Sequence, residues 1–229
     1  MRLLQIQGSE GEEPLRLSLI EVIGSDTSWP RYAILSHRWR DGEVLYADMA
    51  SDLASVEQKK GYSKLISACK IAFEQGYCYL WCDTCCIDKS SSAELSEAIN
   101  SMYEYYSRSD LCIAYLDDIE DEPQDNSYLS RSTWFTRGWT LQELIAPSSL
   151  VFYSRGWKKL GTKTSLRRQT SIASGINEDA LHLAWAVKAA CVSEKMSWAA
   201  RRTTTRPEDT AYSLMGLFDV HMPPLYVCH

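Results

Sequence analysis

An α/β fold with a mostly parallel sheet is what this chain predicts, and three observations predict it. Strand-length apolar runs alternate with helix-length amphipathic segments along residues 31–156. The runs are apolar throughout rather than at every second residue, which suits strands covered on both faces. Each run also stops at a polar cluster, as the carboxyl ends of parallel strands do where ligands bind.

Arg31 to Ser36 form the first expected strand. Gly61 to Gly76 follow as a helix with Leu65, Ile66, Cys69, Ala72 and Phe73 on one face, and Gly76 ends it. Tyr77 to Cys82 give a second strand. Ser91-x-x-Glu94 then forms a capping box that opens a helix buried along Leu95, Ile99, Met102 and Tyr106. Leu111 to Leu116 and Leu150 to Tyr153 complete a predicted sheet of four or five strands, with a short helix from about Phe135 to Ile145 between them. Glu120 to Asn126 read as a solvated acidic loop. Residues 157–229 change character, with helical stretches at about 178–200 and 207–218, the second opening at Pro207 with Glu208 and Asp209 in its first turn. About seventy residues make a marginal core alone, so one domain over 1–229 is expected: an α/β core over about 30–156 and a packed helical region over about 157–229.

The 229 residues are 45% hydrophobic and 24% charged, with a net charge of −6, which argues against intrinsic disorder and offers no general attraction to nucleic acid or anionic lipid. Glu10, Glu12 and Glu13 stand where a signal peptide would be apolar, and no run approaches 18 apolar residues, so a soluble, cytoplasmic protein without nucleic-acid or membrane partners is expected. The 8 cysteines include the adjacent pair Cys85-Cys86 and fall within apolar runs, which suits free thiols. Cys82-x-x-Cys85 is half of a structural zinc site whose second half is absent, so no metal is expected. A nucleophilic pair of Cys85 with His37 is a minor alternative. Lys158, Lys159, Lys163, Arg167 and Arg168 read as a solvated basic face.

The strand ends supply the candidate site. Ser36, His37, Arg38 and Trp39 follow the first strand, Asp83, Thr84 and Cys85 the second, and Asp117 and Asp118 the third. Hydroxyl, imidazole and guanidinium groups there either bind phosphate and ribose or satisfy open backbone groups. Trp39 stacks on a ligand or covers the core. Asp83 and Asp88 touch ligand or cap the next helix. Trp139 and Glu143 are four apart on one helical face, with Arg137 upstream. Glu143 is either a functional carboxylate or a surface partner of Arg137. Arg206, Glu208, Asp209 and Tyr212 read as scaffold.

Four words occur in order: Tyr32-Ala-Ile-Leu-Ser-His-Arg-Trp39, Leu80-Trp-Cys-Asp-Thr-Cys-Cys-Ile-Asp88, Trp134-Phe-Thr-Arg-Gly-Trp-Thr-Leu-Gln-Glu-Leu144 and Arg206-Pro-Glu-Asp-Thr-Ala-Tyr-Ser-Leu-Met-Gly216. Together they resemble the fungal HET (heterokaryon incompatibility) domain over about residues 1–226. Such domains usually continue after Met-Pro-Pro-Leu-Tyr226 with a Gly-Glu-Gly segment, where Val227-Cys228-His229 stand here. The resemblance implies an effector of programmed cell death in fungal immunity, acting under an upstream receptor. HET domains are remotely similar to Toll/interleukin-1 receptor (TIR) domains, several of which cleave NAD. That second resemblance implies a TIR-like fold, with Glu143 as catalytic carboxylate and NAD as substrate rather than cofactor. It also implies that Ser36, His37, Arg38, Trp39, Asp83, Thr84, Cys85, Arg137 and Trp139 contact substrate, and that activation brings self-association. The competing expectation is a non-enzymatic module that signals by self-association alone.

Overall fold

The computed structural model describes residues 1–8, 15–23, 29–49 and 56–226. Glu10, Glu12, Glu13 and the terminal Val227-Cys228-His229 lie outside the described residues. The fold is α/β. Its seven-stranded sheet has the order β2-β1-β4-β3-β5-β6-β7, where β1 is Arg2–Gln7, β2 Arg16–Glu21, β3 Ala33–Ser36, β4 Tyr79–Trp81, β5 Leu111–Tyr115, β6 Leu150–Tyr153 and β7 Lys159–Thr162. The four strands expected from the sequence are the central, parallel ones. Ala33 pairs with Leu80 on one side and with Leu111 on the other, and Cys112 pairs with Leu150. All four residues of β3 and of β6 are buried, as their unbroken apolar runs require.

Three strands were not expected. β1 and β2 form an antiparallel hairpin that joins the sheet through β1 against β4, with Leu3, Leu4 and Ile6 buried. β7 returns antiparallel to β6, so the region after 156 is not purely helical. Its residues are only half-buried or exposed, which is why Lys159–Thr162 lacks an apolar signature. The turn into β7 passes through Trp157 at φ 66°, a left-handed conformation held by stacking of its ring on Tyr115 at 4.1 Å.

Helices cover the sheet. α1 is Tyr46–Met49, and α2, Tyr62–Glu74, buries Leu65, Ala68, Cys69 and Ala72. Gly76, at φ 84°, stops α2, as its place in the sequence predicts. α3, Ser92–Arg108, is capped by the Ser91 side chain, which accepts from the Glu94 N–H. The Glu94 carboxylate reaches back to accept from the Asp88 N–H and from Arg2. α3 buries Ile99, Met102 and Tyr106 together with Ala98 and Tyr105.

The expected helix over 135–145 is divided. A short α4, Tyr128–Arg131, and a 3-10 turn over Thr133–Thr136 precede α5, Thr140–Ile145. Arg137 between them is extended and bridges to Thr203, and a Cβ on Gly138 would stand 2.4 Å from the Thr204 methyl. The extended backbone at Arg137, held by that bridge, interrupts the helix. The two long helices expected after 156 are likewise broken into α6 (Arg167–Ser174), α7 (Glu178–His182), α8 (Ala184–Ala189), α9 (Val192–Ala199), α10 (Asp209–Tyr212) and α11 (Met215–Phe218). Pro207 lies in a turn before α10, where the Thr210 N–H bonds to its carbonyl. The scaffold motif beside it ties down Tyr226: the Tyr226 hydroxyl donates to Asp209, and Arg206 covers the Tyr226 ring.

Candidate functional site

Because β4, β3, β5 and β6 are parallel, the residues that follow them share one edge of the sheet. From β3 the chain runs to β4 on one side and then crosses to β5 on the other. This reversal around β3 opens a crevice at its carboxyl end in doubly wound sheets.

Glu143 is the central residue. It lies in α5, all six residues of which are buried, and is itself 8% exposed. This corrects the expectation of an accessible surface carboxylate. Nor does Arg137 pair with it, since that guanidinium donates to Thr205. The Ser36 hydroxyl donates to Glu143 Oε2 at 2.5 Å and accepts from Trp134 Nε1 at 2.9 Å. Burial pushes the Glu143 carboxyl up to about 7, with nearby Asp83 adding to the rise and the Ser36 hydrogen bond opposing it. Ser36 is fully buried. It holds the Glu143 carboxylate in place.

Cations from outside the parallel core brace the ends of α5. Arg202 Nη1 donates to the Arg137 carbonyl and to Thr140 Oγ1, both at 2.9 Å. Lys163 Nζ donates to the carbonyls of Leu144 at 3.1 Å and Pro147 at 2.6 Å, where the helix leaves carbonyls unpaired. Lys163 is 4% exposed, so it does not belong to a solvated basic face, and burial lowers its pKa to about 8.

The neighbouring strand ends form a second cluster. His37 Nε2 lies 3.0 Å from Asp83 Oδ1 and 3.8 Å from Cys82 Sγ, and Trp39 Nε1 donates to Asp83 Oδ2 at 2.7 Å. Burial works against the His37 imidazolium, but Cys82 and Asp83 outweigh it and raise its pKa above the ordinary range. Asp83 thus holds the β3 loop rather than capping a helix. Arg38 pairs with Asp118 at 2.9 Å, and the Lys89 ammonium sits 4.0 Å over the Trp39 ring. Thr84 and Cys85 are buried, and the Cys85 thiol points back to the Cys82 carbonyl, so the expected pairing of Cys85 with His37 is not formed. Cys82, not Cys85, is the thiol beside His37. Of the expected contacts, Trp39 is 44% exposed, whereas Arg38, Arg137 and Trp139 are half-buried. Sequence reasoning missed Trp134, Lys163 and Arg202. A cavity of about 310 Å³ lies elsewhere, with Arg2, Trp81, Glu94 and Tyr105 in its lining.

The family model for Heterokaryon incompatibility protein (HET) matches residues 32–127. Vegetative incompatibility protein HET-E-1 of Podospora anserina is 43% identical over 206 residues, covering 86% of this chain and 15% of that protein. The chain belongs to the heterokaryon incompatibility (HET) family. It spans about 15% of the length of the relative it matches. No solved structure matches. The HET words of the sequence meet in space: the first supplies Ser36, the third supplies Trp134 and Glu143, and the second supplies Cys82 and Asp83 beside His37. No helix among the described residues is long and apolar enough to cross a membrane.

Proposed function

We propose that this HET domain is a cell-death effector of fungal heterokaryon incompatibility and innate immunity that hydrolyses NAD in the cytoplasm. NAD and water give nicotinamide, ADP-ribose and a proton. The observation that carries the reading is the Glu143 carboxyl, buried at the carboxyl edge of the parallel strands and held by Ser36. Breaking the nicotinamide-ribosyl bond passes through an oxocarbenium-like cation, and a fixed carboxylate shielded from water stabilises that charge. With a pKa near 7, Glu143 is ionised in a large fraction of molecules at neutral pH. The exposed Trp39 is suited to a flat base, and the half-buried Arg38, paired with Asp118, supplies a guanidinium for the pyrophosphate. The strand order around β3 and the position of Glu143 before β6 support the TIR-like reading.

Incubating concentrated protein with NAD and following nicotinamide release tests this. Glu143→Gln is expected to reduce release by at least about 100-fold, as loss of one transition-state contact does. Undiminished release by a folded variant would remove Glu143 from the mechanism. A second reading, signalling through self-association under an upstream receptor, is favoured by the exposed apolar side chains of Leu183, Trp185, Val192 and Met196. Concentration-dependent assembly without nicotinamide release would select it.

A further inference from the structure

His37 leaves β3, and Cys82 and Asp83 leave the adjacent parallel β4, so three chemically different donors meet at one sheet edge. Their donor atoms all lie within 4.8 Å of one another. His37 Nε2 is 3.0 Å from Asp83 Oδ1 and 3.8 Å from Cys82 Sγ. A single ring nitrogen can share only one hydrogen, yet it faces both a carboxylate oxygen and a sulfur. A His–Asp ion pair accounts for two of the three groups and leaves the position of the sulfur unexplained.

Two of the donors are also held from behind, while buried His37 Nδ1 has no partner among the described residues. Thr84 Oγ1 lies 3.1 Å from Cys82 Sγ, and Trp39 Nε1 binds Asp83 Oδ2, which leaves Oδ1 turned to the cluster. Outer contacts of this kind orient the ligands of metal sites. Imidazole nitrogen, thiolate sulfur and carboxylate oxygen are the ligand types of zinc, whereas calcium and magnesium take oxygen alone. Zinc ligands at 2.0–2.3 Å in a tetrahedron stand roughly 3.3–3.8 Å apart, close to the two separations from His37 Nε2.

We propose that His37, Cys82 and Asp83 form a binding site for a zinc-class divalent cation, with a fourth position open on the side of Asp83. The Asp83 side chain is 25% exposed and that of His37 2%, so ion and water reach the cluster from that side. The argument from sequence against metal concerned Cys82-x-x-Cys85; this donor set uses only one of those thiols and draws its histidine from another strand. The proposal goes beyond the NAD reading and does not depend on it.

Chelator-stripped protein titrated with zinc against a chromophoric competitor should bind one equivalent, and cobalt in its place should give a near-ultraviolet thiolate-to-cobalt band. Cys82→Ser is expected to abolish that band and weaken zinc binding by at least about 100-fold, and Asp83→Asn to weaken it by at least about 10-fold with the band kept. Replacing the exposed Cys78 and Cys191 by serine should change neither. Absence of the band in the wild-type protein overturns the proposal even if Cys82→Ser fails to fold. So does a band that survives in Cys82→Ser or disappears with Cys78 and Cys191.

Discussion

Removing the charge of Glu143 should stabilise the fold at neutral and alkaline pH while ending catalysis. Its pKa rises from an ordinary 4.5 to about 7, burial being the main cause. At about 1.4 kcal/mol per pH unit, that is about 3 kcal/mol between the neutral and charged forms. In the unfolded chain the carboxyl gives up its proton near 4.5, whereas in the folded chain it keeps it until about 7. The folded state therefore binds more protons across that window, and this group's contribution to stability falls as pH rises through it. Glu143→Gln keeps an oxygen that can accept from Ser36 and does not titrate. Urea unfolding of both proteins at intervals from acidic to mildly alkaline pH should show the variant gaining on the wild type, by up to about 3 kcal/mol once the window is passed. Nicotinamide release measured on the same preparations should be lost. A stability difference independent of pH, or a variant that loses ground as pH rises, would refute the account of a carboxylate buried at a cost for the sake of its charge.

Ser36→Ala removes the donor to Glu143 and the acceptor of Trp134, and should cost about 1–3 kcal/mol in denaturant unfolding at pH 7. It should also move the Glu143 titration to higher pH, because the lost bond favoured the charged form. Gly138→Ala drives a methyl into Thr204, 2.4 Å away, and should destabilise by about 1–3 kcal/mol in thermal melts; an unchanged melting temperature would contradict the close approach. Burial lowers the Lys163 pKa from 10.5 to about 8, so in that window the unfolded chain binds more protons and wild-type stability gains with pH. Lys163→Met should lack that gain, which parallel unfolding titrations of the two proteins would show.

What the sequence revealed was decided by where each signal lies. The parallel strands are continuous apolar runs, so both their positions and their polar exits could be read, and with them His37 and Asp83. The β1-β2 hairpin left a readable trace in the alternation of Leu17 and Leu19 with polar neighbours. Leu3 and Leu4, buried in succession, hid the same alternation in β1. Trp134 stood in a recognised motif, but an indole that bonds a serine 98 positions away looks, in sequence, like any core tryptophan. Glu143 was identified and its surroundings were misjudged, because helical spacing places it on a face without telling which face is buried.

Lys163 and Arg202 mark a deeper limit. A lysine in a basic stretch reads as solvated, and only the fold shows that its ammonium closes the carboxyl end of α5. Arg202, after α9, braces the other end of the same six-residue helix. A helix this short does not sustain itself in water. Its geometry, and hence the placing of the Glu143 carboxyl against Ser36, is set by what packs on it. Both braces come from beyond residue 156, so the region that looks like an appendage to the parallel core is part of the machinery that holds the candidate carboxylate in place. Fold and candidate site are thereby joined: the sheet edge brings the polar groups together, and the later chain fixes the buried carboxylate among them.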